Sequence, residues 1–227
     1  MKIAIMQPYF YPYLGYFELI ASVDKFIFFD DVNFKKKGFI HRNFINQSGE
    51  NQQINLTLNK ASQNKKINEL EILDASSQCI PRILSAYQES NYYADVQELC
   101  EFHQNLTERN LAYFLSAVLQ FIANKILRNP PEFLYSSDIN ERSNLYGEER
   151  IINLTQQLGG KEYFNLPGGK LLYSREKFLG AGLELAFLVP NLLISGHESN
   201  LSIIDAVAEI GWSNLRDRFI SEERIFD

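Results

Sequence analysis

The spacing of apolar residues changes period along this chain, and each change marks an element. Lys2–Met6 is a short, nearly continuous apolar run and reads as a buried strand. A loop with Pro8 and Pro12 follows, then Gly15, and Tyr16 to Val23 takes helical spacing. Lys25 to Phe29 returns to a strand that stops at Asp30 and Asp31. If those two strands are parallel neighbours, the loop after each one leaves the same carboxyl edge of the sheet, where open α/β sheets bind ligands.

Further along, Phe44 to Ser48 and Gln53 to Leu58 read as a hairpin about Ser48-Gly49-Glu50-Asn51, with Ile67 to Leu73 as a third strand pairing with them. Residues 44–74 are therefore expected to be a mostly antiparallel β insertion over that edge, its lysines Lys60, Lys65 and Lys66 overhanging the cleft. Residues 77–128 are helical in pattern. Ile80, Ile83, Leu84 and Tyr87 share one face, Val96 to Phe102 makes a short second helix, and a longer one opens at Leu106 or Thr107 and ends before Asn129-Pro130-Pro131.

The last third alternates again: strand Glu132 to Ser136, helix Glu149 to Leu158, strand Glu162 to Asn165, the loop Pro167-Gly168-Gly169-Lys170, helix Arg175 to Gly180, strand Leu183 to Leu188. The fold class expected is α/β, an open, mostly parallel sheet of about five strands flanked by helices, with the β insertion and the helical segment, in a single domain over 1–227. In the tail, Ser202 with Asp205 resembles a capping box, Gly211 closes that helix, and Trp212 onward is expected to be a surface helix or a frayed end. His197, Asn200 and Asp205 are weaker cleft candidates.

Composition narrows the function. At 227 residues and 45% hydrophobic, the chain can bury a full core. A net charge of −6 argues against general nucleic-acid binding, because neutralising phosphates needs a positive surface. Cys79 and Cys100 lack CxxC spacing and a histidine cluster, so neither a disulfide framework nor a zinc site follows, and no metal ligand set is expected. The N-terminal apolar run is too short for a signal peptide and no window reaches 18 apolar residues, so a cytoplasmic protein without membrane contact is expected.

Candidate chemistry gathers at the two strand ends. Gln7, Tyr9, Tyr13, Asp30, Asp31, Lys35, Lys36, Lys37, His41, Arg42 and Asn43 belong to the first, and Asn165, Gly168, Gly169 and Lys170 to the later one. The glycines of LPGGK would let the backbone approach a phosphate beside Lys170; the plainer reading is a turn that needs φ > 0. For the first stretch the plainer reading is tyrosines in the core, aspartates capping a turn and lysines in a solvated loop. His103 lies among helices and is expected to be structural.

IAIMQPYFYPYLGYFELI, DKFIFFDDV and KKKGFIHRN together resemble the opening signature of the WbqC-like family, as do KINELEI, GEERIINLTQQLGG, KEYFN, LPGGKLLY and NLSIIDAVAEIG further on. The chain departs from that pattern at Phe39 and His41, where tryptophan and asparagine are expected, leaving Lys37, Gly38, Arg42 and Asn43 as the better matches. The family is named for a member encoded among O-antigen biosynthesis genes. The resemblance implies a transferase of surface-polysaccharide biosynthesis that joins an acyl or aminoacyl group, such as glycyl, to the amine of a nucleotide-linked amino sugar. On that reading the partners are the sugar nucleotide and an acyl or aminoacyl donor. Lys37, Arg42 and Lys170 hold phosphates, Tyr9 and Tyr13 pack on base or sugar, and Asp31 or His41 acts on the amine. No cofactor is indicated. Two alternatives stay open: a nucleotidyltransferase-like or adenylate-forming enzyme, against which the histidine-free YLGY at Tyr13–Tyr16 counts, and a non-catalytic partner protein using its aromatic opening as a contact patch.

Overall fold

The computed structural model describes residues 1–74, 78–139, 145–191, 202–221 and 225–227. Its sheet has the order β10-β9-β8-β1-β2-β7, built from β1 (Lys2–Met6), β2 (Lys25–Phe28), β7 (Glu132–Tyr135), β8 (Glu162–Asn165), β9 (Glu184–Val189) and β10 (Ile225–Phe226). β1 pairs in parallel with both β2 and β8, β2 with β7, and β8 with β9; the terminal β10 runs antiparallel to β9. The α/β architecture expected from the alternation is thus present, with five parallel strands and one antiparallel edge.

Side-chain alternation fixes which helix packs where. On β1, Ile3 and Ile5 enter one core and Ala4 the other; on β2, Ile27 faces the first, Phe26 and Phe28 the second. The core under Ile3 is closed by α5 (Gly147–Gln157), through Ile151 and Leu154, and by α6 (Arg175–Gly180), through Phe178. The larger core under Phe26 is covered by α1 (Leu14–Ala21), α4 (Leu111–Ile126) and α7 (Ile203–Ser221), and extends to α2 (Cys79–Tyr87) and α3 (Tyr93–Asn105). Cys79 and Cys100 are both buried there, and neither is in a disulfide.

Several local expectations need correction. The β insertion is two separate hairpins: β3 (Arg42–Gln47) with β4 (Glu50–Asn55), and β5 (Thr57–Asn59) with β6 (Glu71–Asp74). Arg42 and Asn43 therefore begin a strand instead of sitting in a loop. The long helix starts at Leu111, not Leu106, because the Asn110 side chain accepts from the N–H groups of Ala112 and Tyr113 and caps it there. Gly211 does close a helix as expected: its non-helical backbone, at φ 74° and with a would-be Cβ 2.3 Å from the Tyr92 ring, separates two helical runs within α7. The correction lies beyond it, where Trp212, Leu215 and Phe219 are in the core instead of on a surface helix or frayed end. Asp205 does not complete a capping box; it accepts from the Tyr87 hydroxyl at 2.6 Å and from Asn46 N–H at 2.9 Å. His197 and Asn200 lie outside the described residues. Among those residues no helix is long and apolar enough to cross a membrane.

The strand order creates a topological switch point. From β1 the chain builds outward to β2 and β7, then returns to the opposite flank of β1 to lay down β8 and β9. The connection after β1 runs to α1 over one core, while the connection after β8 runs to α6 over the other. Loops diverging to opposite faces leave a crevice beyond the carboxyl ends of β1 and β8.

Candidate functional site

A cavity of about 380 Å³ occupies that crevice, a size suited to a small ligand. Its first wall is the Gln7–Tyr13 loop, which the protein grips from every side. Tyr11 has the left-handed φ of 45° that only glycine adopts freely. Its carbonyl accepts from Asn43 Nδ2 at 2.6 Å and Ser202 Oγ at 2.9 Å, and its hydroxyl meets His103 Nδ1 at 2.7 Å. Asn43 also donates to the Phe10 carbonyl, the Tyr16 hydroxyl donates to that of Gln7, and Ile203 N–H to that of Pro12. These contacts bury Phe10 and Tyr11, which turns Tyr9 and Tyr13 toward the cavity. Gly15 completes the arrangement, since a Cβ there would stand 2.6 Å from Tyr13 Cε2 and 3.0 Å from Pro190.

The second wall follows β8. Asn165 Nδ2 donates to the Tyr163 hydroxyl at 2.9 Å, and its Oδ1 accepts from Leu166 N–H at 2.7 Å, which orients the amide. Pro167–Gly169 form one tight helical turn without positive φ, so the glycines are not there for backbone freedom. Gly169 answers a close approach instead: a Cβ would lie 3.1 Å from the Asn165 amide and 3.2 Å from the Tyr173 ring. Tyr173, eight residues past Asn165, also lines the cavity, as does Lys35.

Burial raises the hydroxyl pKa of Tyr9, of Tyr173, and of Tyr13 to about 12, where neighbouring Tyr9 and Glu18 add to it. All three phenols stay neutral near pH 7 and can donate or accept. The lining thus offers aromatic faces, neutral hydroxyls, the amides of Gln7 and Asn165, and one cation.

The structure divides the sequence-derived candidates. Gln7, Tyr9, Tyr13, Asn165, Gly168 and Gly169 line the cavity together, while Asp31, His41, Lys37, Arg42, Asn43 and Lys170 are outside its lining. Asn43 is taken up by the loop it braces. Arg42 donates to the carbonyls of Gly38 at 3.3 Å and Lys37 at 2.7 Å, and Lys170 pairs with Asp227 at 2.5 Å. Asp31 accepts from Arg150 and from Ser136 Oγ, each at 2.6 Å, with only 16% of its side chain exposed and 10% of Arg150's. Burial raises the Asp31 carboxyl, but the bonds from Arg150 and Ser136 and the Arg150 charge outweigh it and leave the carboxyl below its ordinary value. Asp30 is fully buried, accepting from Ser137 N–H and Oγ and from Asn68 Nδ2. His41 lies 5.2 Å from the Phe34 ring, ring centre to ring centre, and among the described residues its buried Nδ1 has no hydrogen-bond partner. Burial, then Arg42 and Lys36, lower its pKa, so the imidazole is neutral at pH 7. Among the described residues no cluster of side chains is suited to hold a metal.

Comparison with protein families places residues 7–217 on the model of the WbqC-like protein family. The chain belongs to the WbqC-like family. The match spans both cavity walls, from Gln7 through Tyr173. This WbqC-like chain is also similar to the uncharacterized protein Rv1507c of Mycobacterium tuberculosis (strain ATCC 25618 / H37Rv), at 26% identity covering 92% of this chain and 94% of that protein. No solved structure matches it.

Proposed function

We propose that this WbqC-like protein is a transferase of bacterial surface-polysaccharide biosynthesis, of the O-antigen type, that places an acyl or aminoacyl group, glycyl for example, on the amine of a nucleotide-linked amino sugar. The observation that carries this reading is the cavity at the β1/β8 switch point. Neutral phenols and amides beside aromatic faces suit a hydroxyl-rich sugar ring, which stacks its apolar face and exchanges hydrogen bonds at its edge. In this reading Tyr9, Tyr13 and Tyr173 hold the sugar while Gln7 and Asn165 set its orientation. Neither candidate base lines the cavity; by charge state alone His41 is the better matched, because its imidazole is neutral at pH 7 whereas Asp31 is held ionised by Arg150 and is a weak base.

A thermal-shift screen against nucleotides and nucleotide sugars tests the binding half, since a ligand of the folded state raises Tm with concentration. Mass spectrometry of a free-amine sugar nucleotide incubated with the protein and candidate donors tests the transfer. Stabilisation by amino-sugar nucleotides, with a mass gain of one acyl or aminoacyl group, is expected. No shift with any nucleotide sugar, together with a stoichiometric protein partner in pull-downs, would replace this reading with a docking role.

A further inference from the structure

The loop 33–38 walls a second hollow, of about 490 Å³, with Gln63 across from it. Lys35 lines both this hollow and the tyrosine cavity, so the two adjoin at its side chain. Lys35, Lys36 and Lys37 are all exposed, and among the described residues none of them has an ion-pair partner. Four other lysines are neutralised locally: Lys25 by Glu132, Lys125 by Glu98, Lys170 by Asp227 and Lys177 by Glu148. Three adjacent uncompensated cations on a chain of net charge −6 make a concentrated positive field at one lip of the cavity. The loop is also held in shape. Arg42 occupies the carbonyls of Lys37 and Gly38, Gly38 N–H bonds the Lys35 carbonyl, and Phe34 N–H bonds that of Lys65 at 2.9 Å.

We propose that the lysine hollow binds the diphosphate of a sugar nucleotide, with Lys35 at the junction contacting the phosphate nearest the sugar. This deepens the reading of the tyrosine cavity as the sugar site and rests on it. A diphosphate is chosen because it presents two neighbouring anionic centres to a row of cations and is short enough to link the hollow to the adjoining cavity. The anion site is thereby assigned to the 33–38 loop; Lys170, beside the Gly168-Gly169 turn, has its own carboxylate partner.

Isothermal titration of the full chain with UDP, inorganic pyrophosphate and uridine tests this, using Lys35→Ala, the double variant Lys36→Ala/Lys37→Ala, and Lys170→Ala. Circular-dichroism melts check that each variant folds; the exposed lysines should leave Tm unchanged. UDP and pyrophosphate are expected to bind and uridine to bind far more weakly. Lys35→Ala should raise the Kd for UDP roughly tenfold or more, the double variant about threefold to tenfold, and Lys170→Ala less than about twofold. Affinity for pyrophosphate should fall with added salt. No binding of UDP or pyrophosphate, a Lys35→Ala variant that keeps wild-type affinity, or loss of binding in Lys170→Ala overturns the proposal. If an amino-sugar nucleotide still binds Lys35→Ala as it binds the wild type, only this proposal fails. If UDP binds through Lys35 and the amino-sugar nucleotide binds no more tightly than UDP, the sugar reading fails and the anion site stands.

Discussion

Two neighbouring strand ends at the same edge of the sheet have opposite fates. Beyond β2, Asp30, Asp31, Ser136, Ser137 and Arg150 satisfy one another in a closed network, with Asn68 reaching in from the hairpin region. Beyond β1 and β8, Gln7, Tyr9, Tyr13 and Tyr173 face an open cavity. Both ends are rich in polar groups, and both supplied candidate site residues by sequence. What separates them is whether the protein itself supplies the partners. A saturated network specifies structure, while polar groups and rings turned toward empty space are what a ligand can use.

The largest effect should come from the closed network. Asp30→Ala removes the acceptor for Ser137 and Asn68 in a fully buried setting and should cost about 3–5 kcal/mol in urea unfolding. A loss below about 1 kcal/mol would show that the network is not the structural anchor it is taken to be. Gly15→Ala comes next, because the added methyl drives into the Tyr13 ring and Pro190. We expect about 1–3 kcal/mol of destabilisation, with ligand affinity falling more than in any variant of the Asp30–Arg150 cluster that still folds.

The pH dependence sharpens the contrast. Asp31 has a folded pKa below its unfolded value of 3.8, so the unfolded chain binds its proton first as pH drops. Its contribution to stability is therefore complete above the unfolded pKa and is lost as pH falls from there through the folded pKa. Asp31→Asn should flatten that acid limb of the Tm-versus-pH curve; an unchanged limb contradicts the assignment. His41 has the opposite charge logic: its lowered pKa makes the folded state lose ground as pH falls below about 6.5. The smallest effect belongs to Tyr13→Phe, which keeps the ring and removes the hydroxyl. Unfolding should change by less than about 1 kcal/mol, and ligand binding should weaken by about 1 kcal/mol, roughly fivefold in Kd.

Much of this frame could be read from the chain. Two apolar runs separated by a helix-length segment and each ending in polar residues announce parallel neighbours, and Met6 and Phe28 do end in register. The Asn165–Gly169 turn was legible as the second wall for the same reason. The saturating contacts were not legible, because they join residues far apart in sequence: Asp31 meets Arg150 across 119 positions and Asp30 meets Ser136 across 106. Nothing local distinguishes an aspartate with such a partner from one without. Tyr173 was missed because it stands between the Pro167–Lys170 loop and the helix expected from Arg175, with no motif of its own to mark it. The stretch after Gly211 was hidden in the same way: glycine after an amphipathic run signals the stop that Gly211 provides, and only the burial of Trp212, Leu215 and Phe219 shows that the chain beyond it packs into the core.

The most direct test of the cavity assignment is a crystal structure of the protein with a UDP-linked amino sugar carrying a free amine. The account predicts the sugar ring between Tyr9, Tyr13 and Tyr173, within hydrogen-bonding reach of Asn165. Density for the sugar against Asp30, Asp31 and Arg150, with the tyrosine-walled cavity left to solvent, would contradict it.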